Sequence, residues 1–303
     1  MKKWNRREVL AAGTMMGIMP GTLLASGEST MRTTRIPATG EQLPVIGLGT
    51  YSVFDVASTT EAIAERREII DRLTTSGGSV IDTSPMYNRS EKVIGDVIAS
   101  GAARKDLFLA TKVWTDGRES GAAQMQRSFE LMRTDTIDLM QVHNMRDTAL
   151  HMETIREWQD RGRIRYNGLT HYTAGAHAAL EREMREFEPQ FIQINYSLGE
   201  REAEQRVLPL AREMGIAVLI NRPFQSGRLF RAVADRKLPD FAAGFAKSWG
   251  QFFLKFIISH PAVSCAIPAT SKPHHMIDNL RAGFGDLPDK DMRKRMSDYF
   301  GNL

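Results

Sequence analysis

The stretch that decides the fold runs from residue 107 to residue 143 and reads LFLATKVWTDGRESGAAQMQRSFELMRTDTIDLMQVH. A short apolar run opens it, another closes it, and a longer amphipathic segment lies between them. Short apolar runs predict buried β-strands, and a longer amphipathic segment between two of them predicts a crossover helix. The stretch therefore predicts parallel β-structure with a right-handed connection.

The same alternation continues on both sides of this stretch. The apolar runs predict eight strands: Val45–Thr50, Ser79–Asp82, Leu107–Lys112, Ile137–His143, Tyr166–Thr170, Phe191–Asn195, Ala217–Asn221 and Ser264–Ile267. Eight strand and helix units over this length predict a single α/β domain with the architecture of a (β/α)8 TIM barrel, and a doubly wound sheet is the weaker alternative. We place this domain at residues 34–303, because no linker rich in Pro, Gly or Ser interrupts it.

Composition excludes several classes of protein. Cys265 is the one cysteine, so an intramolecular disulfide is impossible and no CxxC pair can hold structural zinc. Four cations against one acid place +3 of the formal net charge of +4 in the first 25 residues. The remaining chain carries only +1, so we expect no nucleic-acid partner.

The first 33 residues have the layout of a signal peptide and a short linker. A basic start containing Arg6 and Arg7 precedes a weakly apolar segment, which ends in small residues near Ala25. The paired arginines resemble a twin-arginine export signal, which implies export machinery as a partner and a periplasmic location. No later stretch reaches the length of a membrane span, so we expect no stable membrane insertion after cleavage. An uncleaved anchor is the alternative.

Polar residues at the predicted strand ends carry the chemistry, because active sites of (β/α)8 barrels lie at the carboxyl ends of the strands. Asp82, Lys112 and His143 each close an apolar run, and Tyr87 follows in the loop after Asp82. A phenol is a poor acid near neutral pH, but a neighbouring lysine favours the phenolate. Asp82, Tyr87 and Lys112 therefore predict one coupled acid–base unit.

The motifs around these residues resemble the aldo-keto reductase superfamily. They are GLGTY at 47–51, DTSPMYNRSEKVIG at 82–95, ATKVW at 110–114 and QVHN at 141–144. The resemblance runs from about Pro44 to the C-terminus. It implies a (β/α)8 barrel that transfers a hydride from NADPH to the carbonyl carbon of an aldehyde or ketone without a metal.

The resemblance also implies roles for single residues. Tyr87 is the implied general acid, Lys112 lowers its pKa, Asp82 pairs with Lys112, and His143 orients or polarises the carbonyl. Two aromatic residues are assigned to the substrate pocket, Trp114 and Tyr51.

The implied cofactor residues lie at the later strand ends. Thr170 keeps the hydroxyl of the serine that the family usually has, whereas His171 replaces an asparagine. Asn221 stands where relatives commonly carry a tyrosine that stacks on the nicotinamide, so the ring must be held in another way. The full set of expected cofactor residues is Gly49, Thr50, Thr170, His171, Gln193, Ser197, Leu198, Glu200, Asn221, Arg222, Pro223, Ile267, Ala269, Thr270, Ser271, Lys272, His275, Asp278 and Asn279.

Four alternatives accompany this interpretation. Lys272 favours NADPH over NADH, because it supplies a permanent cation for the 2′-phosphate; a metal site at His274 and His275 is the weaker rival there. A nucleotide-binding sensor or partner subunit with little turnover is the alternative function. A metal-assisted hydrolase would require more histidines and carboxylates at strand ends than His143 and Asp82.

Overall fold

Parallel strands form the centre of the molecule. The computed structural model describes residues 30–303. Its strands, in chain order, are β1 (Thr33–Arg35), β2 (Gln42–Pro44), β3 (Leu48–Gly49), β4 (Val80–Asp82), β5 (Phe108–Val113), β6 (Ile137–His143), β7 (Ile164–Thr170), β8 (Phe191–Asn195), β9 (Ala217–Asn221) and β10 (Cys265–Ala266). From β3 to β10 each strand pairs in parallel with the next one along the chain.

The sheet closes where β10 meets β3. The backbone N–H of Gly47 donates to the carbonyl of Ala266 at 2.9 Å, and that of Gly49 donates to the carbonyl of Pro268 at 3.1 Å. A Cβ atom on Gly49 would lie 2.7 Å from the carbonyl oxygen of Ile267, so only glycine allows this approach. The predicted (β/α)8 barrel is confirmed, because eight parallel strands form a nearly closed ring.

Helices connect the strands and cover the barrel. They are α1 (Thr60–Thr75), α2 (Ser90–Ala99), α3 (Arg118–Met132), α4 (Thr148–Asp160), α5 (His177–Phe187), α6 (Val207–Glu213), α7 (Arg228–Ala232), α8 (Trp249–Ile258), α9 (Pro273–Arg281) and α10 (Lys290–Gly301). Their apolar faces and the outward faces of the strands form the larger hydrophobic core. No helix within residues 30–303 has both the length and the apolar character required to cross a membrane.

A hairpin of β1 and β2 supports one end of the barrel, and it was absent from the sequence-based prediction. Ile36 and Leu43 of this hairpin are buried in a second apolar cluster with inward-facing strand residues such as Phe108 and Tyr166. Met31 is also buried in the larger core. The folded part therefore begins before residue 34, and residues 31–33 of the predicted linker belong to it.

Candidate active site

Three neighbouring strands and one loop carry the four predicted catalytic residues. Asp82 ends β4, Lys112 lies one residue before the end of β5, and His143 ends β6. Tyr87 lies in the loop between β4 and α2. Because carboxyl ends of parallel strands share one edge of a barrel, the four side chains lie at the same end of the molecule.

The ammonium group of Lys112 is completely buried in this edge. Its Nζ donates to Asp82 Oδ2 at 2.8 Å and to the carbonyl oxygen of Thr83 at 2.7 Å. The same Nζ lies 5.2 Å from the centre of the Tyr87 ring. Burial by itself lowers the pKa of Lys112, but the charges of Asp82 and Tyr87 raise it, and the pKa lies above its ordinary value. Lys112 therefore remains a cation beside the phenol.

The phenol of Tyr87 has a raised pKa. Burial is the largest cause, the positive charge of Lys112 opposes it, and the charge of Asp82 adds to it. Lys112 thus lowers the pKa of Tyr87, as predicted. Loss of hydration on burial disfavours the phenolate and raises this pKa by more than Lys112 lowers it. Tyr87 consequently keeps its proton at neutral pH, which is the state that a proton donor requires.

The second oxygen of Asp82 is held by two side-chain amides. Gln193 Nε2 donates to Asp82 Oδ1 at 2.7 Å, and Gln141 Nε2 donates to the same oxygen at 3.3 Å. Gln141 is the register partner of Lys112 on the neighbouring strand and was not predicted from the sequence. The available signal was a polar residue in the buried strand β6, two positions before His143. Together the two amides fix the carboxylate that holds Lys112.

His143 carries a neutral imidazole. Burial, the charge of Lys112 and that of His171 lower the pKa of His143 from 6.5 to about 3. Its Nδ1 lies 2.8 Å from the sulfur of Met86, the residue before Tyr87. A neutral imidazole has one donor and one acceptor nitrogen, so it can hydrogen-bond to a carbonyl compound without adding charge to the site.

Aromatic rings surround this group of polar residues. The ring of Trp114 lies edge-on to His143 with 6.3 Å between centroids, and Tyr51 lies edge-on to Tyr87 at 5.1 Å. Tyr172, which was not predicted, lies 6.4 Å from His143 in a stacked orientation. Tyr51 is 64% exposed and Tyr172 is 42% exposed. These rings form a wall beside His143 and Tyr87, and Tyr51 and Tyr172 are open to solvent.

Gln193 uses its hydrogen-bonding groups within the protein. Its Oε1 accepts from Thr170 Oγ1 at 3.2 Å and from Asn221 Nδ2 at 3.3 Å, while its Nε2 donates to Asp82. The predicted contact of Gln193 with a nicotinamide carboxamide would therefore have to replace one of these bonds. Through Gln193, the strand ends of β7 and β9 are connected to the carboxylate of Asp82.

His171 and Asn221 have different surroundings at these strand ends. The Nδ1 of His171 accepts from the backbone N–H groups of Tyr172 and Thr173 at 3.0 and 3.2 Å, so the imidazole caps its own loop. Asn221 Nδ2 donates to the carbonyl of His171 at 3.1 Å, whereas its Oδ1 is buried without a partner. The Oδ1 atom of Asn221 can therefore accept a hydrogen bond from another group, whereas the Nδ1 atom of His171 is already used by the backbone of its own loop.

The segment predicted to cover a pyrophosphate forms a tight turn after β8. Ser197 and Glu200 exchange backbone hydrogen bonds of 3.0 and 3.2 Å, and Leu198 between them is buried. Gln225 Nε2 donates to Ser197 Oγ at 3.0 Å. The side chain of Ser197 is fully buried in this turn.

The chain after β9 turns sharply. Arg222 has a φ of 49°, in the left-handed region, and its Nη1 donates to the carbonyl of Tyr172 at 3.4 Å. Pro223 is buried. Phe224 packs against Phe230 with 4.8 Å between ring centroids, so its ring belongs to an aromatic cluster.

The last predicted cofactor segment runs from β10 into α9. Thr270 Oγ1 accepts from the backbone N–H of Lys272 at 3.1 Å, which shapes the turn before the helix. Ala269, Ser271, Lys272 and His275 are exposed around this helix start, and Ile267 is buried. A cation and a hydroxyl at a helix N-terminus suit a phosphate group.

Asp278 is engaged inside the protein. Its carboxylate accepts from Ser248 Oγ at 2.6 Å and from Gln251 Nε2 at 2.7 Å, and so joins α9 to the start of α8. Asn279 beside it is buried. The structure therefore places Asp278 and Asn279 in the packing between helices. Two further predicted cofactor residues also have structural contacts: Gly49 closes the barrel, and Thr50 Oγ1 donates to the carbonyl of Asp82 at 3.0 Å.

The two adjacent histidines of α9 lie together at the surface. Their ring centroids are 4.4 Å apart, and within residues 30–303 no group of three histidine, cysteine or carboxylate side chains is arranged to hold a metal ion.

Comparison with known proteins agrees with this geometry. The aldo/keto reductase family matches residues 45–296. The chain belongs to this family. Among curated relatives, glyoxal reductase of Bacillus subtilis is 26% identical over 262 residues, covering 84% of this chain and 88% of the relative. Methylglyoxal reductase YeaE of Escherichia coli is 29% identical over 248 residues, covering 78% of this chain and 84% of the relative.

A solved aldo/keto reductase has the same fold as this family member. The protein from Klebsiella pneumoniae, crystallised with NADP and acetate, has a TM-score of 0.74 and 25% sequence identity. The match covers 89% of this chain and 96% of the solved chain. Family membership identifies this chain as an oxidoreductase.

Proposed function

We propose that this protein reduces an aldehyde or ketone to an alcohol, with NADPH as the hydride donor and Tyr87 as the general acid. The observation that carries the proposal is the buried pair of Lys112 and Asp82 at 2.8 Å, with the Lys112 ammonium 5.2 Å from the Tyr87 ring. A purely structural ion pair has no need of a titratable phenol beside it. The protein is therefore an NADP-dependent oxidoreductase of the aldo/keto reductase family.

The residues at the strand ends fit a nicotinamide nucleotide. The unpartnered Asn221 Oδ1 is an acceptor that suits the amide of a carboxamide, and Thr170 lies beside it through Gln193. Ser197, with Leu198 and Glu200 in the same turn, would hold the pyrophosphate. Exposed Lys272 and Ser271 at the start of α9 would hold the 2′-phosphate, with His275 nearby.

When bound, NADPH supplies the hydride that the carbonyl carbon receives. The protein's own residues supply the proton, because Tyr87 donates its phenolic hydrogen to the carbonyl oxygen as the alcohol forms. Lys112 stabilises the phenolate that remains, and Asp82, held by Gln141 and Gln193, keeps Lys112 in place. Solvent then returns a proton to Tyr87 through the open side of the site.

The neutral imidazole of His143 orients the substrate. With its pKa lowered to about 3, His143 adds no charge that would compete with Lys112 above about pH 4. Trp114 and Tyr51 line the space around the carbonyl. The two curated relatives are named for glyoxal and methylglyoxal, which supports small 2-oxoaldehydes as the first substrates to test.

Export is a second part of the proposal. Arg6 and Arg7, followed by a weakly apolar segment, support recognition by twin-arginine machinery and a periplasmic location. These residues lie outside the described part of the chain. A route that carries folded proteins would allow the chain to acquire its nucleotide in the cytoplasm, where binding stabilises the fold.

Purified protein titrated with NADPH and NADH, followed by aldehyde addition, tests the proposed activity. We expect protein fluorescence to change on NADPH binding and NADPH absorbance to fall when methylglyoxal is added. Binding without any turnover across a panel of aldehydes and ketones would instead favour a sensor or partner subunit. Absence of binding to either nucleotide would overturn both functions.

A further inference from the structure

The backbone around Trp114 is held by side chains from neighbouring elements. Gln124 Oε1, on α3, accepts from the backbone N–H of Trp114 at 2.6 Å, and Gln124 Nε2 donates to the carbonyl of Trp114 at 3.4 Å. His151 Nε2, on α4, lies 2.8 Å from the carbonyl of Thr115. The amide of Gln124 thus pairs with both backbone groups of Trp114, as a neighbouring strand would do beyond the end of β5.

The next two residues are held from the loop after β6. Arg146 forms two hydrogen bonds with the carboxylate of Asp116, and its guanidinium lies 4.9 Å from the centre of the Trp114 ring. The backbone N–H of Gly117 donates to Asp147 Oδ2 at 2.7 Å. The charges of Arg146 and Asp116 neutralise each other, whereas Asp147 adds a second carboxylate on this side of the site.

The loop that supplies these contacts has an unusual backbone. Asn144, Met145 and Asp147 have φ values of 56°, 55° and 48°, in the left-handed region that residues other than glycine rarely adopt. Such conformations persist only where the surroundings determine them strongly, and they concentrate at functional sites. This loop directly follows His143, and its residues Arg146 and Asp147 bind Asp116 and Gly117 in the loop after β5. The two loops beside the imidazole are therefore linked to each other.

We propose that Gln124 is a positioning residue, which fixes Trp114 as a rigid wall and makes the site discriminate against bulky carbonyl substrates. The inference rests on the proposed reductase function. Trp114 lies edge-on to His143 at 6.3 Å, so any movement of its ring changes the space beside the reacting carbonyl. Since the Trp114 ring that faces His143 is uncharged, its selection is by shape.

Gln124→Met tests this role, because methionine has a similar length but forms neither hydrogen bond with Trp114. We expect the ratio of kcat/KM for a small aldehyde to that for a bulky aromatic aldehyde to fall about tenfold, mainly through KM. The dissociation constant for NADPH should not change. Gln124→Glu, which keeps the acceptor for the Trp114 N–H, should retain most of the discrimination. Gln126→Met, at an exposed position on the same helix where the side chain bonds to Arg163 rather than to Trp114, is the matched control.

A second measurement does not depend on turnover. Acrylamide should quench the tryptophan fluorescence of Gln124→Met more strongly than that of the parent protein. In a Trp114→Phe background the same substitution should cause no difference. If the parent protein reduces aldehydes but the substrate ratio and the quenching both stay unchanged in Gln124→Met, the inference is wrong while the proposed function stands. If the parent protein has no activity, the proposed function fails and the quenching experiment alone decides the role of Gln124.

Discussion

Lys112 shows how burial and charge act against each other at a single residue. Its ammonium is completely buried, and its neutralising partner Asp82 is fixed on the other side by Gln193 and Gln141. Burial of a charge is expensive unless a partner and hydrogen bonds compensate for it. The arrangement supplies both, so it can maintain a cation next to a phenol whose pKa burial has raised.

Lys112→Met should lower the rate of carbonyl reduction and move the alkaline limb of the pH profile of kcat/KM to higher pH. Removal of the positive charge leaves burial and Asp82 to raise the pKa of Tyr87 further, so the phenol becomes a weaker acid and ionises at higher pH. General acid catalysis contributes about 10²–10⁴-fold, and we expect a loss of at least about tenfold. A pH profile of kcat/KM measures both effects.

Folding needs its own control for this substitution, because an unpaired buried Asp82 costs about 3–5 kcal/mol. The double substitution Asp82→Asn with Lys112→Met removes that unpaired charge and should recover part of the stability. An alkaline limb that is unmoved or shifted to lower pH in a folded Lys112→Met protein would assign Lys112 a structural role only.

Lys272→Ala should weaken the binding of NADPH more than that of NADH. Lys272 is exposed at the N-terminus of α9, and only NADPH carries the 2′-phosphate that this cation would hold. We expect about a tenfold increase in the NADPH dissociation constant, corresponding to one charge-assisted hydrogen bond. Fluorescence titration with both nucleotides measures it. Equal losses for the two nucleotides would show that Lys272 does not select between them.

The sequence was sufficient to predict that Asp82, Lys112 and His143 lie at one edge of the barrel, but not which side chains hold them there. Polar residues that close apolar runs in a (β/α)8 barrel share one edge, which brings Asp82, Lys112 and His143 together. The orientation of a side-chain amide depends on neighbours from distant strands. The bond from Gln193 to Asp82 spans 111 positions in the sequence, so no local pattern could predict it. The loop-capping bonds of His171 likewise depend on its backbone turn.

Strands were easier to predict than the hairpin that precedes them. The predicted runs 137–143, 191–195 and 217–221 coincide with β6, β8 and β9, because both faces of a barrel strand are buried and most residues of each run are apolar. In contrast, β1 and β2 have three residues each, and β1 has no buried residue. Their contribution depends on contacts with the end of the barrel, which short polar sequences do not reveal.

Close packing between α2 and α3 yields a test at the level of these elements. A Cβ atom on Gly95 would lie 2.0 Å from the carbonyl oxygen of Leu131 on the neighbouring helix. A change from glycine to alanine inside a helix ordinarily stabilises it by about 1 kcal/mol. Here we expect Gly95→Ala to destabilise the protein by about 1–3 kcal/mol, since overpacking forces the helices apart.

Urea denaturation measures the effect, with Gly301→Ala as the control. Gly301 also lies in a helix, but a Cβ atom there would have no neighbour within 4 Å. The control should unfold at the parent midpoint or slightly above it. Equal midpoints for Gly95→Ala and the parent protein would mean that α2 and α3 are not packed as closely as described.

Export concerns the whole molecule and is tested by the paired arginines. Arg6→Lys combined with Arg7→Lys keeps both charges but removes the planar guanidinium groups. We expect cell fractionation to find this variant retained in the cytoplasm as a folded precursor that still binds NADPH. Cleaved protein in the periplasm at the parent level would refute the twin-arginine route.

The central claim is that Tyr87 delivers the proton during NADPH-dependent carbonyl reduction, and Tyr87→Phe tests it most directly. The substitution removes one hydroxyl and keeps the ring that packs against Tyr51. A single experiment measures NADPH affinity by fluorescence and then the single-turnover oxidation of bound NADPH after aldehyde addition. We predict an unchanged dissociation constant and a rate lower by about 10²–10⁴-fold. A rate close to that of the parent protein, with NADPH bound normally, would contradict the account.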